Sequence, residues 1–549
     1  MSSTKSIDEA PVKPTNDLHD RDHKDADETT FNPRSLKFIT IMLGMYMSVC
    51  LVALDRTIIA VAIPAMTNEF HSISDIGWYG SSYMLTAACF NPIFGRIYQL
   101  YSTKWVFLIS ILIFEIGSAV CGAAPTSAAF IVGRAVAGLG SAGIFQGGMM
   151  VIVGLVPLVK RPMYTAVFGM AFGVSAVLGP VVGGSFTDHL TWRWCFYLNL
   201  PIGGFTLLSI FLFFHMDPPK RENLSIVQQI QRLDPVGIFF FVPSIVCLIL
   251  AMQWGGTTYA WSDPKMIGLL VAFGVLLIIF GIVETLTPET AMAPNRVVLN
   301  RSVAGSMIFT FLNYGSVMAI AYYLAIWFQA AKGETATHAG INTIPMVVSM
   351  VVSSIISAKI TQFLGYYIPG LIACSLLSAV GSGMLSTMTR YSDHSYWIGY
   401  QVLFGFGLGC GAQQASLASQ SVLPKKDVPL GLALGFLMQQ LGGAVFLSVC
   451  QNIFATKLVD RLSGVAGLDA QKIVDTGATD IRTMVPSEEL DAVVEAYNFA
   501  ITRVFLVAAI LSACTIAGVA MMEWKSIKGM KEAKSAEAVP GKVEETEKV

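Results

Sequence analysis

Long apolar stretches alternate with short polar connections along most of the chain. Because about 20 apolar residues in a helix cross the hydrocarbon layer of a membrane, each stretch predicts a transmembrane helix. Fourteen stretches qualify, and an even number places both termini on the same side. The predicted spans are 38–64, 77–100, 104–124, 128–153, 163–186, 194–215, 235–254, 266–286, 303–329, 340–363, 367–389, 396–420, 428–452 and 499–522.

Composition supports an all-α integral membrane protein. Of the 549 residues, 54% are hydrophobic and 13% are charged, and the mean hydropathy is +0.62. Soluble domains carry about a quarter charged residues, so this chain lacks the polar surface that a water-soluble fold needs. The net charge of −1 and the absence of a basic stripe argue against a nucleic-acid partner.

Basic residues fall unevenly between the two alternating sets of connections. One set is rich in them and includes Arg96, Lys160 and Arg301, whereas the other set holds only four. By the positive-inside rule the rich set is cytoplasmic, and so are both termini. Residues 1–36 are polar and densely charged, which predicts a disordered cytoplasmic tail rather than a cleaved signal peptide.

Three of the charged residues inside predicted helices stand out. Asp55 lies near the outer end of the first, Glu115 in the third and Arg134 in the fourth. A charge at bilayer depth costs about 2.5 to 3.5 kcal/mol on insertion scales and usually faces a partner or a cavity. Asp55 is therefore a candidate functional residue. Glu115 either relays protons or pairs within the bundle.

Small residues form a stripe along the predicted fifth helix. Steps of three and four residues place them on one helical face, which lets another helix approach closely. A proline in the stripe removes one backbone donor, so the helix can bend there. Ordinary close packing of small residues is the alternative explanation. The stripe comprises Gly169, Gly173, Ala176, Pro180 and Gly184, with Gly179 and Gly183 beside it.

These residues resemble motifs of the drug:proton antiporters of the major facilitator superfamily, in the branch with fourteen spans. That family carries a G-x-x-x-G-P-x-x-G-G signature in its fifth span, and the part from Gly179 to Gly184 is intact here. Further resemblances are found in the first, fourth and sixth spans and late in the chain, where fungal toxin-efflux members are matched. They are Leu54-Asp55-Arg56-Thr57-Ile58, Gly133-Arg134-Ala135-Val136-Ala137-Gly138, Trp192-Arg193-Trp194, Asn199-Leu200-Pro201-Ile202-Gly203, Gln439-Gln440-Leu441-Gly442-Gly443 and Thr476-Gly477-Ala478-Thr479-Asp480.

The resemblance implies the major facilitator fold, with two six-helix halves that rock around a central site and two inserted helices. It also implies that Asp55 binds the coupling proton and that Arg134 is a fixed positive charge that tunes it. Alternatively, Arg134 holds a carbonyl or extends to the interface. The implied domains are 37–215 for the N-terminal half, 216–234 for a cytoplasmic linker, 235–286 for the inserted helices, 287–522 for the C-terminal half with an external loop at 453–497, and 523–549 for a cytoplasmic tail.

The resemblance also places a cytoplasmic gate in the connection after the second helix. Gly95, Arg96 and Lys104 occupy this connection. Gln99 stands where the family carries an aspartate, so the charge-based latch of the family lacks its acid here.

Polar and aromatic residues recur within the predicted helices. Apolar walls with a few hydrogen-bonding groups suit an amphipathic organic ligand, although helix packing explains any single residue equally well. The candidate substrate-binding residues are Tyr83, Gln146, Asn313, Tyr314, Tyr322, Tyr323, Gln413, Gln414, Gln439 and Gln440.

The sequence lacks the motifs of ATP-driven pumps and of metal-dependent enzymes. The chain has no G-x-x-x-x-G-K-[ST] phosphate loop, which argues against an ATP-driven pump. Its nine cysteines and seven histidines show no metal-ligand spacing, so we expect no metal, no cofactor and no enzyme activity.

Together these features predict a monomeric, proton-coupled exporter of a small amphipathic molecule, such as a secondary metabolite, toxin or drug, in the plasma membrane. A proton-linked importer or facilitator of a nutrient, siderophore or amino acid would share this scaffold. A membrane sensor that does not transport is the third reading.

Overall fold

The computed structural model describes residues 32–72, 75–214, 225–256, 258–463 and 489–528. Nineteen helices and no β-sheet are found in these residues. Most of both predicted tails lies outside them, as does the 476–480 motif.

The N-terminal half is built from helices α1 to α7. The first five coincide with the first five predicted spans, while α6 and α7 share the sixth. Helix α1 continues past the predicted end at residue 64 and stops at His71, whose φ of 51° is left-handed. The helices are α1 (Leu36–Phe70), α2 (Ile76–Leu100), α3 (Thr103–Ala123), α4 (Ser127–Leu155), α5 (Arg161–His189), α6 (Trp194–Tyr197) and α7 (Asn199–Phe213).

The inserted pair α9 and α10 follows the short linker helix α8, and helices α11 to α19 form the C-terminal half. Helix α18 runs on to Leu462 and α19 begins at Leu490, so helix extends into both ends of the predicted external loop. The helices are α8 (Ile226–Gln231), α9 (Pro235–Trp254), α10 (Pro264–Leu286), α11 (Asn295–Val298), α12 (Arg301–Ala330), α13 (Ala336–Asn342), α14 (Ile344–Leu364), α15 (Ile368–Leu385), α16 (His394–Gly411), α17 (Gln414–Val422), α18 (Val428–Leu462) and α19 (Leu490–Met521).

Polar residues at the helix starts satisfy the free backbone N–H groups there. Thr126 accepts a hydrogen bond from the Ala129 N–H at the start of α4. Asn300 does the same for two N–H groups of α12, and the Asp234 side chain caps α9. These caps explain why the long helices begin directly after short connections.

Eleven helical segments of the described residues are long and apolar enough to cross a membrane. Helices α2, α5 and α16 lie at the predicted second, fifth and twelfth spans but are not among these eleven. The all-helical membrane architecture is therefore confirmed, whereas the count of fourteen spans remains a prediction.

Two helix pairs make the largest contacts between the two halves. Helix α2 packs against α18, and α5 packs against α14. The inserted pair lies over the first of these contacts, where Phe241 and Phe280 share an apolar cluster with Cys89 of α2 and Leu437 of α18. We call the α2–α18 contact the insertion seam and the α5–α14 contact the glycine seam.

Both described ends of the chain lie at the same end of the bundle, as an even number of crossings requires. Phe38, near the start of α1, packs on Tyr164, near the start of α5. The Lys160 carbonyl beside α5 accepts a hydrogen bond from Gln362 near the end of α14, and Ile527 after α19 bonds to the Gly365 carbonyl. We call this end the terminal face.

Candidate functional site

Asp55 and Arg134 form a buried ion pair between α1 and α4. The Arg134 Nη1 atom lies 2.5 Å from Asp55 Oδ2, and neither side chain is more than 2% exposed. Arg134 Nε also donates to the Tyr79 carbonyl at 3.0 Å, and its guanidinium lies 4.5 Å from the Tyr83 ring centroid. Arg134 thus makes both of the contacts expected from the sequence, one with an acid and one with a backbone carbonyl.

Asn199 connects this ion pair to α3. Its Nδ2 atom lies 3.4 Å from Asp55 Oδ1 and donates to Ser118 Oγ at 3.0 Å. Asn199 is fully buried at the start of α7. Sequence reasoning did not select it, although it opens the Asn199–Gly203 run that carried part of the family resemblance.

Glu115 is a second buried acid, one helical turn from this network. Its side chain is 7% exposed, and neither carboxyl oxygen has a hydrogen-bond partner among the described residues. The carboxyl group lies directly against Gly203, where any Cβ atom would collide with it. Glu115 precedes Ser118 by three residues on α3, and Gly203 follows Asn199 by four on α7. The predicted pairing of Glu115 within the bundle is not made in this conformation.

The small residues of α5 serve two different faces. A Cβ atom at Gly169 would lie 2.8 Å from Gln413 Nε2, and one at Gly173 would lie 2.8 Å from Met350 Cε, so both face the C-terminal half. Gly179 and Gly183 instead pack against α1.

Pro180 and Gly184 lie within the same continuous helix α5. The side chains of Ala176 and Pro180 are not among the described ones. A role of Pro180 in bending the helix therefore stays a prediction.

Arg96 anchors a polar network at the terminal face. Its Nε atom donates to the Arg232 carbonyl at 2.8 Å, and Nη2 donates to the Glu289 carbonyl at 2.6 Å. These two carbonyls flank the inserted pair, one before α9 and one after α10. The remaining guanidinium nitrogen donates to Gln99, so Arg96 holds that amide in place.

Gln99 carries the network into the C-terminal half. Its Nε2 atom donates to Asp427 Oδ1 at 3.1 Å. Arg296 binds both oxygens of Asp427, with N···O distances of 3.1 Å. This chain lacks the acid that the family carries at the position of Gln99, and Asp427, just before α18, supplies a carboxylate to the network instead. Gly95 lets α2 and α18 approach closely, because a Cβ atom there would lie 2.5 Å from the Ala433 Cβ.

Lys104 does not take part in this network. Its Nζ atom donates to the Phe211 carbonyl at 2.7 Å, within the N-terminal half. Of the three predicted gate residues, Gly95 and Arg96 lie together at the insertion seam, whereas Lys104 lies on α3 beside α7.

Several predicted substrate-binding residues lie where the halves meet. Gln146 Nε2 donates to the Pro429 carbonyl of the other half at 2.6 Å, while its Oε1 atom is buried and has no partner in the described part of the chain. Tyr83 is buried beside Arg134, and Gln413 of the C-terminal half covers Gly169 of α5.

The remaining candidates occupy the C-terminal half. Asn313 is buried and accepts from the Cys374 thiol at 3.7 Å, whereas Tyr314 lies half-buried against Gly443. Tyr322 is 55% exposed and Gln439 is half-buried. The structure therefore does not bring all ten candidate residues into one cluster.

Two further polar residues were not selected from the sequence. Gln401 on α16 is fully buried, and neither its Nε2 nor its Oε1 atom has a partner among the described residues. Arg56, next to Asp55, lies 5.3 Å from the ring centroids of both Tyr83 and Phe145. Arg56 is part of the motif in the first helix. The sequence of one helix does not show which residues of other helices a charged side chain will contact.

The chain matches characterised families along most of its length. A sequence profile described as Major Facilitator Superfamily matches residues 45–447. The MFS-type efflux pump MFS1 of Arthroderma benhamiae is 48% identical over 506 residues, covering 92% of this chain and 94% of that protein. The efflux pump aflT of Aspergillus parasiticus is 45% identical over 509 residues, with coverages of 92% and 99%.

A solved structure shares the fold. The proton:xylose symporter XylE superposes with a TM-score of 0.57 over 90% of this chain and 98% of its own, at 14% sequence identity. At that identity the likeness concerns the fold alone. With its two helical halves, its inserted pair and a family profile spanning residues 45–447, the chain belongs to the Major Facilitator Superfamily, whose members are transporters rather than enzymes.

Proposed function

We propose that this protein is a proton-coupled efflux transporter that exports a small amphipathic organic molecule, such as a secondary metabolite, toxin or drug, by alternating access. Its relatives in Arthroderma benhamiae and Aspergillus parasiticus are named efflux pumps, which supports the direction of transport. The buried Asp55–Arg134 pair is the observation that carries proton coupling.

Asp55 has two ways to avoid an isolated buried charge. It can pair with Arg134, as in this conformation, or it can take up a proton when a rearrangement moves the guanidinium away. Arg134 cannot lose its own proton, and it has the Tyr79 carbonyl as a second acceptor. Exchange between ion pair and protonated acid therefore links proton binding to helix movement.

We propose that Glu115 and Asp55 exchange a proton. Asn199 and Ser118 connect the two acids, and the Asn199 Oδ1 atom is a buried acceptor with no partner among the described residues. A protonated Glu115 or a water molecule would supply the missing donor. The proposed proton route joins Asp55 and Glu115 through this polar layer.

The terminal face is the proposed cytoplasmic gate, closed in this conformation. Gln99, Asp427 and the bond from Gln146 to Pro429 join the halves there. By the positive-inside rule both termini are cytoplasmic. The proposed site of action is the plasma membrane, with the monomer as the transporting unit.

One proton per exported molecule is sufficient for concentrative export. A difference of about two pH units and about 100 mV together provides about 5 kcal/mol per proton. For a neutral substrate this supports a gradient of roughly three to four decades.

The first experiment compares small molecules in cells and medium, with and without the gene, by mass spectrometry. An exporter predicts a compound that moves from the medium into the cells on deletion. A nutrient that instead remains in the medium, with nothing retained in the cells, would make the protein an importer.

The second experiment measures flux of that compound into inside-out vesicles with an acidic lumen. Asp55→Asn should abolish pH-driven flux at normal protein level, whereas Asp55→Glu, which keeps an ionisable carboxyl, should retain part of it with a shifted pH profile. Full pH-driven flux by Asp55→Asn would remove Asp55 from the coupling mechanism.

A further inference from the structure

Arg56 carries a positive charge that no acid among the described residues pairs with. Among the described residues it forms no ion pair, and its Nε atom is buried without a hydrogen-bond partner. The neighbouring carboxylate of Asp55 is engaged by Arg134. The Arg56 side chain is half-buried, so the first helix presents a guanidinium that is partly inside the bundle and unpaired among the described residues.

The surroundings of Arg56 lie between the two halves rather than toward lipid. Phe145, which Arg56 contacts, packs on Phe168 of α5 and on Phe436 of α18, with ring centroids 5.7 and 5.8 Å apart. Because α18 belongs to the C-terminal half, Arg56 lies close to the surface on which the halves meet. In the described part of that half, Asp427 at the terminal face is the only buried charged side chain.

A guanidinium in a low-dielectric interior is costly unless an anion or strong acceptors face it. Aromatic faces stabilise it in part, and its planar N–H groups match the two oxygens of a carboxylate. The Tyr83 and Phe145 rings supply the aromatic faces here, but no oxygen of the described residues accepts a hydrogen bond from Nε.

We propose that Arg56 binds an anionic oxygen of the exported molecule, so that the preferred substrates are amphipathic organic anions that carry an aromatic ring. The ring would stack beside Tyr83 and Phe145 while the carboxylate or phenolate oxygen accepts from Arg56. This inference rests on the proposed transport function and specifies its substrate class.

The proposed charge on the substrate also changes the energetics of exchange. Inward movement of one proton coupled to outward movement of one monoanion transfers two elementary charges. The membrane potential then drives export twice as strongly as it drives export of a neutral molecule.

The inference is tested with a matched pair of probes, 2-naphthoate and 2-naphthamide, which share a ring system and differ in charge. Equilibrium binding to the purified full-length protein in nanodiscs should favour the carboxylate at least tenfold. Arg56→Gln should remove this preference, and Arg56→Lys, which keeps the charge, should retain part of it. Arg301→Gln, at an exposed position on α12, serves as the control and should leave the preference unchanged.

Equal binding of the two probes by the wild-type protein would overturn the inference. An equal loss of binding affinity for both probes in Arg56→Gln, with an unchanged melting temperature, would also overturn it. That result would mean that Arg56 shapes the binding cavity and does not recognise the negative charge.

Transport of the same probes separates this inference from the proposed function. Absence of pH-driven flux in inside-out vesicles, with the Arg56-dependent binding preference intact, refutes proton-coupled efflux and supports the anion site. Equal pH-driven flux of both probes refutes the anion site and leaves efflux standing.

Discussion

At the scale of single residues, the two partners of the central ion pair differ in how they can be neutralised. Asp55 can take up a proton if its partner is lost, whereas Arg134 stays charged in any environment of the protein. Removal of one partner from a buried pair costs roughly 3 to 5 kcal/mol, because the other charge is left without compensation.

Asp55→Asn should therefore destabilise the protein more than Arg134→Gln does. The double variant Asp55→Asn/Arg134→Gln should recover stability relative to Asp55→Asn alone, because no buried charge remains. Melting temperatures of the three purified variants at one pH check this order. Additive losses in the double variant would mean that the two side chains do not interact energetically.

Glu69 gives a pH-dependent contact at the end of α1 opposite the terminal face. The hydrogen bond from the Trp192 indole, at 2.6 Å, lowers the pKa of this carboxyl, and Arg193 lowers it further, while burial opposes both. Stability from a lowered pKa is present above the unfolded value, about 4.3, and is lost as pH falls through the folded one.

Glu69→Gln should therefore lower the melting temperature slightly at pH 7 and have no effect near pH 3. The change is small, because the Glu69 side chain is 48% exposed. A difference between variant and wild type that persists at pH 3 would contradict the assignment.

At the scale of helices, α5 shows that one stripe of small residues supports two contacts. Gly179 is the tightest test on the α1 side, because an added Cβ atom would lie 2.8 Å from the Thr57 Cβ and 3.1 Å from a backbone nitrogen. Overpacking of this kind costs roughly 1 to 3 kcal/mol.

Gly179→Ala should lower the melting temperature of the protein. The matched control is Gly268→Ala on α10, where no atom lies within 4 Å of an added Cβ. Because glycine in a helix interior costs roughly 0.5 to 1 kcal/mol relative to alanine, the control should be neutral or slightly stabilising. Similar effects at both positions would exclude close packing as the cause.

The inserted pair is held at both of its ends. Near its turn, Trp261 Nε1 donates to Asn452 of α18 at 2.8 Å, and Trp254 packs on Trp78 of α2. At the terminal face the carbonyls of Arg232 and Glu289 bind Arg96. The pair therefore bridges both halves along the whole insertion seam.

At the scale of the whole molecule, the proposed rocking of the halves requires the contact at the terminal face to open. Asp427 is central to that contact, because it accepts from Gln99 of the N-terminal half and from Arg296 of its own half. The Asp427 side chain is 3% exposed, so its hydrogen bonds are shielded from water.

Asp427→Ala should shift the protein toward the state that is open at the terminal face. Spin labels at positions 160 and 426, in a background without native cysteines, should report longer distances in this variant by pulsed electron resonance. Glu523→Gln is the control, because it removes an exposed ion pair with Arg301 within one half. An unchanged distance distribution in Asp427→Ala would show that the network does not hold the gate.

Local patterns predicted the helical membrane architecture and the family, and they singled out Asp55 and Arg134 as charges inside helices. Apolar length along the chain suffices to identify a membrane helix, and a buried charge within one is rare enough to mark a site. Hydropathy did not predict the helical extensions to Phe70 and Leu462, because polar helix ends beyond the apolar core leave no such signal.

The sequence alone thus determined that this chain is a membrane transporter of known fold with charged residues in its first half. Only the tertiary structure decided which charges meet. Asp55 and Arg134 are separated by 79 positions, and Gln99 and Asp427 by 328. Helix packing decides which residues so far apart in the chain become partners. The contact between Gln99 and Asp427 and the surroundings of Arg56 are therefore visible only in the folded protein.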